Sequence, residues 1–357
     1  MAPTMKAAVI EKPEKLVVKE VPVPEISDDE VLIKVKYTGI CGTDWSIYTG
    51  KYSADRLPLI PGHEFSGIIA KAGKNAKRLK EGDRVTADIN MSCGSCFYCK
   101  KGLKLMCREF TQLGIHIDGT YAEYVKAPWK QVHRLPDSLG FLQGAFIEPV
   151  SCVIHAAKAM QVEMGSSVAI IGSGLGILHA AVARYRGAVP VIVLGRTEKK
   201  LEVAKQLGAD YTINVQKVKD PVEEVRKLTE GRGADYVIEA VGMPETYEQS
   251  LQMVRPGGTV AAFGITGVDD IISVRPFDLV LGEKKVVGSC AGVGDDWSDA
   301  IALLQYERIK PEPLFSMIVP LEELLPTLEQ LRTDKNLFKV FVSPEISERE
   351  ILALDLG

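Results

Sequence analysis

The chain has 357 residues, 46% of them apolar and 25% charged, with a formal charge of −4 and a pI near 5.9. That length accommodates two domains, each large enough to bury its own core. The slightly acidic balance excludes the electrostatic footprint of a nucleic-acid binder or of a protein drawn to an anionic membrane. The opening MAPTMKAAVIEKPEK lacks the basic, apolar and small-residue regions of a signal peptide, and no window is apolar for long enough to span a bilayer. A cytoplasmic location is expected.

The first third reads as irregular β structure. Val31, Ile33, Val35 and Tyr37 alternate with Leu32, Lys34 and Lys36, the period-two pattern of a half-buried strand. Cys41-Gly42-Thr43-Asp44 follows that strand, and Gly62-His63-Glu64 comes about one hairpin later. Glu81-Gly82-Asp83 marks a further turn. A thiolate, an imidazole and a carboxylate at Cys41, His63 and Glu64 form a mixed donor set, the kind that holds zinc while leaving one position open. Cys93, Cys96, Cys99 and Cys107 then fall within fifteen residues, and two-residue gaps let neighbouring thiolates converge on one ion. A closed four-thiolate site does no chemistry itself. With Cys41, Cys152 and Cys290 scattered, the thiols argue for metal binding in a reducing compartment rather than for disulfides.

Glu148-Pro149 starts a helix, and Glu148 is a further candidate for the mixed metal site or for contact with substrate. From about Ser167 the texture changes. Apolar runs at 168–171 and 191–194, and strands at about 211–214, 236–240, 259–263 and 286–289, alternate with helical stretches. This is the pattern of a doubly wound α/β domain with a parallel sheet. After about residue 290 the chain returns to mixed structure that rejoins the first domain.

Gly172-Ser173-Gly174-Leu175-Gly176 follows a buried strand and opens a helix. Glycines there allow a tight turn and close backbone approach to a pyrophosphate, whose charge the helix N-terminus favours. The usual third glycine would fall at Ile177, so Gly176 comes one residue early. At the end of the second strand the chain reads Leu194-Gly195-Arg196-Thr197, with no carboxylate until Glu198. A guanidinium pairs with a 2′-phosphate, whereas a ribose 2′-hydroxyl calls for Asp or Glu. NADP is therefore favoured, with NAD possible.

Taken in order, several segments together resemble the zinc-containing medium-chain alcohol dehydrogenases. They are residues 39–44, Pro61-Gly62-His63-Glu64-Phe65-Ser66-Gly67, Gly82-Asp83-Arg84-Val85, the four-cysteine lobe, residues 119–124 and Glu148-Pro149. The pattern is closest to the polyol and sugar dehydrogenases and to threonine dehydrogenase. The resemblance implies a GroES-like catalytic domain over 1–150 and 291–357, with a Rossmann domain inserted over 151–290. It implies two zinc ions, one catalytic on Cys41, His63 and Glu64 with Glu148 on or beside the metal, and one structural on Cys93, Cys96, Cys99 and Cys107. Thr43 would start the proton relay. Ala240, Val241, Phe263, Gly264, Ile265 and Ser289, at later strand ends, join the glycine loop and residues 195–197 at the cofactor, with Lys339 nearby.

The implied substrate is a small alcohol or ketone, and the implied assembly is a homodimer or homotetramer through a Rossmann strand edge such as 286–289. Two positions depart from the pattern. Ser46 stands where many relatives have a histidine, and Ala291 lies near the place of an arginine in sorbitol dehydrogenases. The expected activity is hydride transfer between NAD(P) and a secondary alcohol of a polyol, sugar or related hydroxy compound. An NAD-dependent threonine 3-dehydrogenase is the nearest rival, and a non-catalytic dinucleotide-binding protein is a rival of another class.

Overall fold

The computed structural model describes residues 3–174 and 176–352, so Leu175 of the glycine loop lies outside the described residues. The chain divides into two compact units, one of Met1–Glu148, Val293–Gln305 and Leu314–Asp355, the other mainly of Pro149–Gly292 with Tyr306–Pro313.

The first unit is organised around the strand Glu30–Gly39, whose Val31, Ile33 and Val35 are fully buried as the alternation predicts. It pairs antiparallel with Glu64–Ala72 along most of its length, with Tyr124–Pro128 near its start, and with Lys339–Ser343 at its end. Ile33, Val35, Ile69, Val85 and Leu113 fill one core cluster, and Tyr121, Met317, Val319, Val340 and Val342 fill a second. Each such aliphatic side chain contributes about 1.5–3 kcal/mol by leaving water.

Register at the end of that strand positions the chemistry. Gly39 lies opposite Glu64 in one pairing and opposite Phe341 in the other, and the Ile40 N–H donates to the Val340 carbonyl at 2.9 Å. Three strand ends therefore meet. Cys41 leaves one, His63 and Glu64 enter the second, and Lys339 begins the third. Residues 93–107 form a separate lobe of short helical turns, Phe97–Lys100 and Lys104–Met106.

The second unit holds a six-stranded sheet in the spatial order Tyr211–Asn214, Val191–Gly195, Val168–Ile171, Ala234–Glu239, Val254–Ala262, Lys285–Gly288, with every pairing parallel. Strand order reverses between Val168–Ile171 and Ala234–Glu239, the switch point where doubly wound sheets bind ligands at the carboxyl ends of their strands. The helix Gly176–Tyr185 returns from the glycine loop, and Glu198–Gln206, Pro221–Leu228 and Pro244–Met253 follow later strands. A short helix, Pro276–Leu281, interrupts the run before the last strand. Its six residues are too few to carry a helical period, and sequence reading leaves it out. Among the described residues no helix is long and apolar enough to cross a membrane.

Candidate active site

Cys41 caps the N-terminus of the helix Gly42–Tyr48, and the Asp44 carboxylate turns back to accept the Cys41 N–H at 2.9 Å. This is the reciprocal geometry of a capping box, here serving to hold the thiol. His63 and Glu64 arrive on the adjacent strand, and one donor atom from each of Cys41, His63 and Glu64 lies within 4.8 Å of the others. His63 and Glu64 are 3% and 1% exposed. Glu148 is also buried, in the first turn of the helix Ile147–Met160, and its charge acts on His63 and Lys339, but it falls outside that three-residue cluster.

The surroundings suit a cation. His63 Nδ1 and Asp44 Oδ1 face each other at 3.6 Å, both buried and both without a hydrogen bond. A carboxylate behind an imidazole is the usual outer partner of a metal-bound histidine, and it leaves Nε2 for the ion. The other Asp44 oxygen accepts the Tyr121 hydroxyl at 2.7 Å, which anchors the carboxylate from the opposite side. Burial disfavours charge on His63, yet the Cys41 thiolate and the Asp44 carboxylate push its pKa up to about 10. The same anionic field favours a divalent ion. Thiolate, imidazole and carboxylate are the donor types zinc takes at open sites, and three of them leave a fourth position. The residues present fit that ion.

Lys339, read from sequence as a cofactor contact, is buried with its ammonium 2.5 Å from Glu64 Oε2 and 2.9 Å from the Ile40 carbonyl. Burial opposes its charge, but Glu64 and then Cys41 raise its pKa. Gly39 completes the seat, because a side chain there would collide with the Glu64 carboxylate. Thr43 Oγ1 lies 3.6 Å from Cys41 Sγ. Ser46 turns its hydroxyl to the Gly42 carbonyl of its own helix at 3.5 Å. Asp44, Tyr121 and Gly39 are site residues that motif reading does not assign. Only the acidic residue three positions after Cys41 carries a local signal.

In the lobe, the Cys93–Cys99, Cys96–Cys99 and Cys96–Cys107 sulfurs are 4.0, 3.5 and 3.9 Å apart. Four sulfurs at about 2.3 Å from a common tetrahedral centre sit about 3.8 Å from one another. The N–H groups of Cys96, Cys93 and Glu109 point at sulfur from 3.3–3.4 Å, the bonding that stabilises thiolates. Hydrogen bonds from Ser95 and then Cys96 pull the Cys93 thiol down to about 6. This donor set fits zinc as a closed site.

In the second unit, the glycine loop and the later strand ends lie along the carboxyl side of the sheet. Gly172 has φ +120°, and a side chain there would come within 3.0 Å of Val241. A side chain on Gly176 would meet Ile170 at 3.2 Å. The early glycine thus lets helix and strand pack closely, and Ile177 is simply buried. Gly195 is buried, and an added Cβ would lie 2.6 Å from Ser173 Oγ and 3.0 Å from Leu201. Arg196 is exposed and has no partner among the described residues, and the Thr197 hydroxyl makes no capping bond. Glu198, the first carboxylate after the strand, is already held by Asn214 at 2.5 Å and Lys217 at 2.7 Å.

Two family models match the chain. Residues 27–137 match the alcohol dehydrogenase GroES-like domain family, and residues 174–306 match the zinc-binding dehydrogenase family. Among curated relatives, a sorbitol dehydrogenase of Bacillus subtilis is 38% identical over 76% of this chain and 78% of its own length. An L-threonine 3-dehydrogenase of Bacillus licheniformis is 36% identical over 87% and 91%. Among solved structures, a protein of Sinorhizobium meliloti assigned as a zinc-binding dehydrogenase and bound to NADP superposes with TM-score 0.92 at 34% identity, over 96% of this chain and 100% of that one. The chain belongs to the zinc-dependent medium-chain alcohol dehydrogenases. It is an oxidoreductase of alcohol groups built from a GroES-like part and a Rossmann part, acting on small molecules. That class sets aside the reading as a non-catalytic binding module.

Proposed function

We propose that this dehydrogenase oxidises a secondary alcohol of a polyol, sugar or related hydroxy compound, and reduces the matching ketone, with NADP as the preferred cofactor. The observation that carries the reading is the convergence of Cys41, half-buried, with buried His63 and Glu64 into one donor cluster, three ligands that would leave zinc a fourth position. Cys41, His63 and Glu64 would hold a catalytic zinc, with Glu148 beside it to receive a substrate hydroxyl, and the four-cysteine lobe would hold a structural one. When bound, zinc supplies Lewis-acid polarisation of the alcohol oxygen, and the nicotinamide accepts hydride.

The protein's own residues do the rest. Asp44 orients His63, and Lys339 with Gly39 fixes the Glu64 carboxylate. Thr43 Oγ1 would relay the hydroxyl proton, accepting it while releasing its own to water, and Ser46 offers no base near neutral pH to receive it. The catalytic part would comprise residues 1–150 and 291–357, and the cofactor part residues 151–290. Gly172, Ser173, Gly174, Leu175 and Gly176 would face the pyrophosphate, with Ala240, Val241, Phe263, Gly264, Ile265 and Ser289 along the nicotinamide half.

Three features support NADP. Gly195 leaves no room for an acid that would read a 2′-hydroxyl, Glu198 is engaged elsewhere, and the Arg196 guanidinium is free to meet a 2′-phosphate. Replacing Arg196 by alanine should raise KM for NADP by roughly tenfold to a hundredfold, the worth of a charge-assisted contact, and change KM for NAD by less than about twofold. Equal effects on both cofactors would sink this assignment.

The sorbitol and threonine dehydrogenases among the relatives define the substrate test. In a panel of polyols, sugars and hydroxy amino acids followed at the absorbance of the reduced nicotinamide, polyols should turn over and threonine should not. A threonine-selective profile instead makes the chain an NAD-dependent threonine 3-dehydrogenase. The strand Lys285–Gly288 ends the sheet with Val286 exposed, and Phe277, Val280 and Leu281 of the preceding helix are exposed as well. An unpaired strand edge beside an apolar patch is suited to pairing with a second copy, in a homodimer or homotetramer. The clustered cysteines of the lobe suit a reducing, cytoplasmic setting.

A further inference from the structure

Glu239 ends the strand Ala234–Glu239 and is fully buried, a costly place for a carboxylate unless every lone pair is used. Here three donors meet it. Its Oε1 accepts the Val241 N–H at 2.9 Å, the Gly242 N–H at 3.0 Å and the Thr246 hydroxyl at 2.7 Å, and its Oε2 accepts the Gly242 N–H at 3.1 Å. Its main-chain carbonyl accepts the N–H groups of Phe263 at 3.2 Å and Gly264 at 2.8 Å. One residue therefore holds two loops, 240–242 and 263–265, that end neighbouring parallel strands.

Both loops are shaped to close on this carboxylate. Gly242 has φ +79°, and a side chain there would lie 2.8 Å from the Ile265 carbonyl carbon. A side chain on Gly264 would lie 2.5 Å from Glu239 Oε2 and 2.8 Å from the Gly242 Cα. Tyr247, from the helix Pro244–Met253, donates its hydroxyl to the Gly264 carbonyl. Burial, then the Glu239 charge, pushes the Tyr247 pKa up to about 12, so the donor keeps its proton. Outward of this bonded layer, Val241 and Ile265 are exposed, and Val241 also abuts Gly172 of the glycine loop. The carboxylate lies at the switch point of the sheet, behind the surface and not on it.

We propose that Glu239 is the positioning residue of the dinucleotide site: its buried carboxylate sets the conformation of loop 240–242, loop 263–265 packs against that loop through Gly242 and Ile265, and both loops contact the cofactor. This rests on the reading of Ala240, Val241, Phe263, Gly264 and Ile265 as cofactor contacts. Glu239→Gln preserves size but presents an amide N–H to N–H groups that now find an acceptor. Thr246→Val removes one donor, and Thr246→Ser retains it.

Kd for NADPH and NADH by nicotinamide fluorescence, with KM and kcat for each substrate, reads the effect. Glu239→Gln should raise cofactor Kd and KM by roughly tenfold, about 1.4 kcal/mol. At saturating cofactor its kcat should stay within about twofold, and the alcohol KM should be unchanged. Thr246→Val should move cofactor KM the same way by about threefold, and Thr246→Ser should restore it, so this pair decides the matter if Glu239→Gln does not fold. A lowered melting temperature with unchanged cofactor Kd, or alcohol and cofactor KM rising together, overturns the role of Glu239. Should the unmodified enzyme bind neither NADPH nor NADH, the cofactor reading itself falls and takes this inference with it.

Discussion

Replacing His63 by alanine is expected to lower kcat for alcohol oxidation by at least about 10³-fold, because the zinc proposed at that position would supply charge stabilisation where the oxygen becomes negative. Cofactor Kd should change by less than about twofold. Its proposed contacts lie in the second unit, whereas His63 sits in the first with Cys41, Glu64 and Asp44. Elemental analysis should fall from about two zinc ions per chain to about one, since the four-sulfur lobe is a closed and separate site. Kinetics and metal content must move together. A variant that keeps both ions but loses turnover would make His63 a substrate contact, and one that loses an ion without losing activity would end the assignment of this cluster as the catalytic centre.

The second large effect concerns Lys339. Its ammonium is the direct counter-ion of Glu64 at 2.5 Å, in a location where both side chains are almost wholly removed from solvent. Lys339→Met leaves that carboxylate buried and unpaired, and removing one partner of a buried pair costs about 3–5 kcal/mol. The loss should appear as a lower melting temperature in protein chelated mildly enough to spare the four-cysteine site. Zinc at the proposed site would neutralise the same carboxylate, so adding it back should raise the melting temperature of the variant by more than that of the parent. Lys339→Arg, which keeps the charge, should behave close to the parent. If instead Lys339→Met weakens NADPH binding while metal-free stability is unchanged, the cofactor contact suggested by sequence pattern is its true role, and the Glu64 pair is incidental.

Reading the chain located what is local. The four-cysteine lobe is legible because its cysteines lie within fifteen residues, and the structure brings sulfur pairs among them to 3.5–4.0 Å. The strands at 168–171 and 191–195 are legible because buried parallel strands are continuous apolar runs. Cys41, His63 and Glu64 carry enough motif to be grouped, although their meeting depends on Gly39 pairing opposite Glu64. Sequence pattern does not single out Glu239, because one acid at the end of an apolar run has no periodicity to mark it. Its signal, a charge inside Val237-Ile238-Glu239-Ala240-Val241-Gly242, is visible only once burial is known.

Sequence by itself thus determined the fold class, the two donor sets and the glycine loop, since each depends on residue type at short spacing. Tertiary structure alone decided that Lys339 meets Glu64 across 275 positions, that Tyr121 braces Asp44 across 77, and that Gly195 is closed against Ser173. The first of these contacts is set by strand register, since a shift of one residue in pairing would turn the Lys339 and Glu64 side chains to opposite faces, and the other two by how loops and a helix pack beside the sheets.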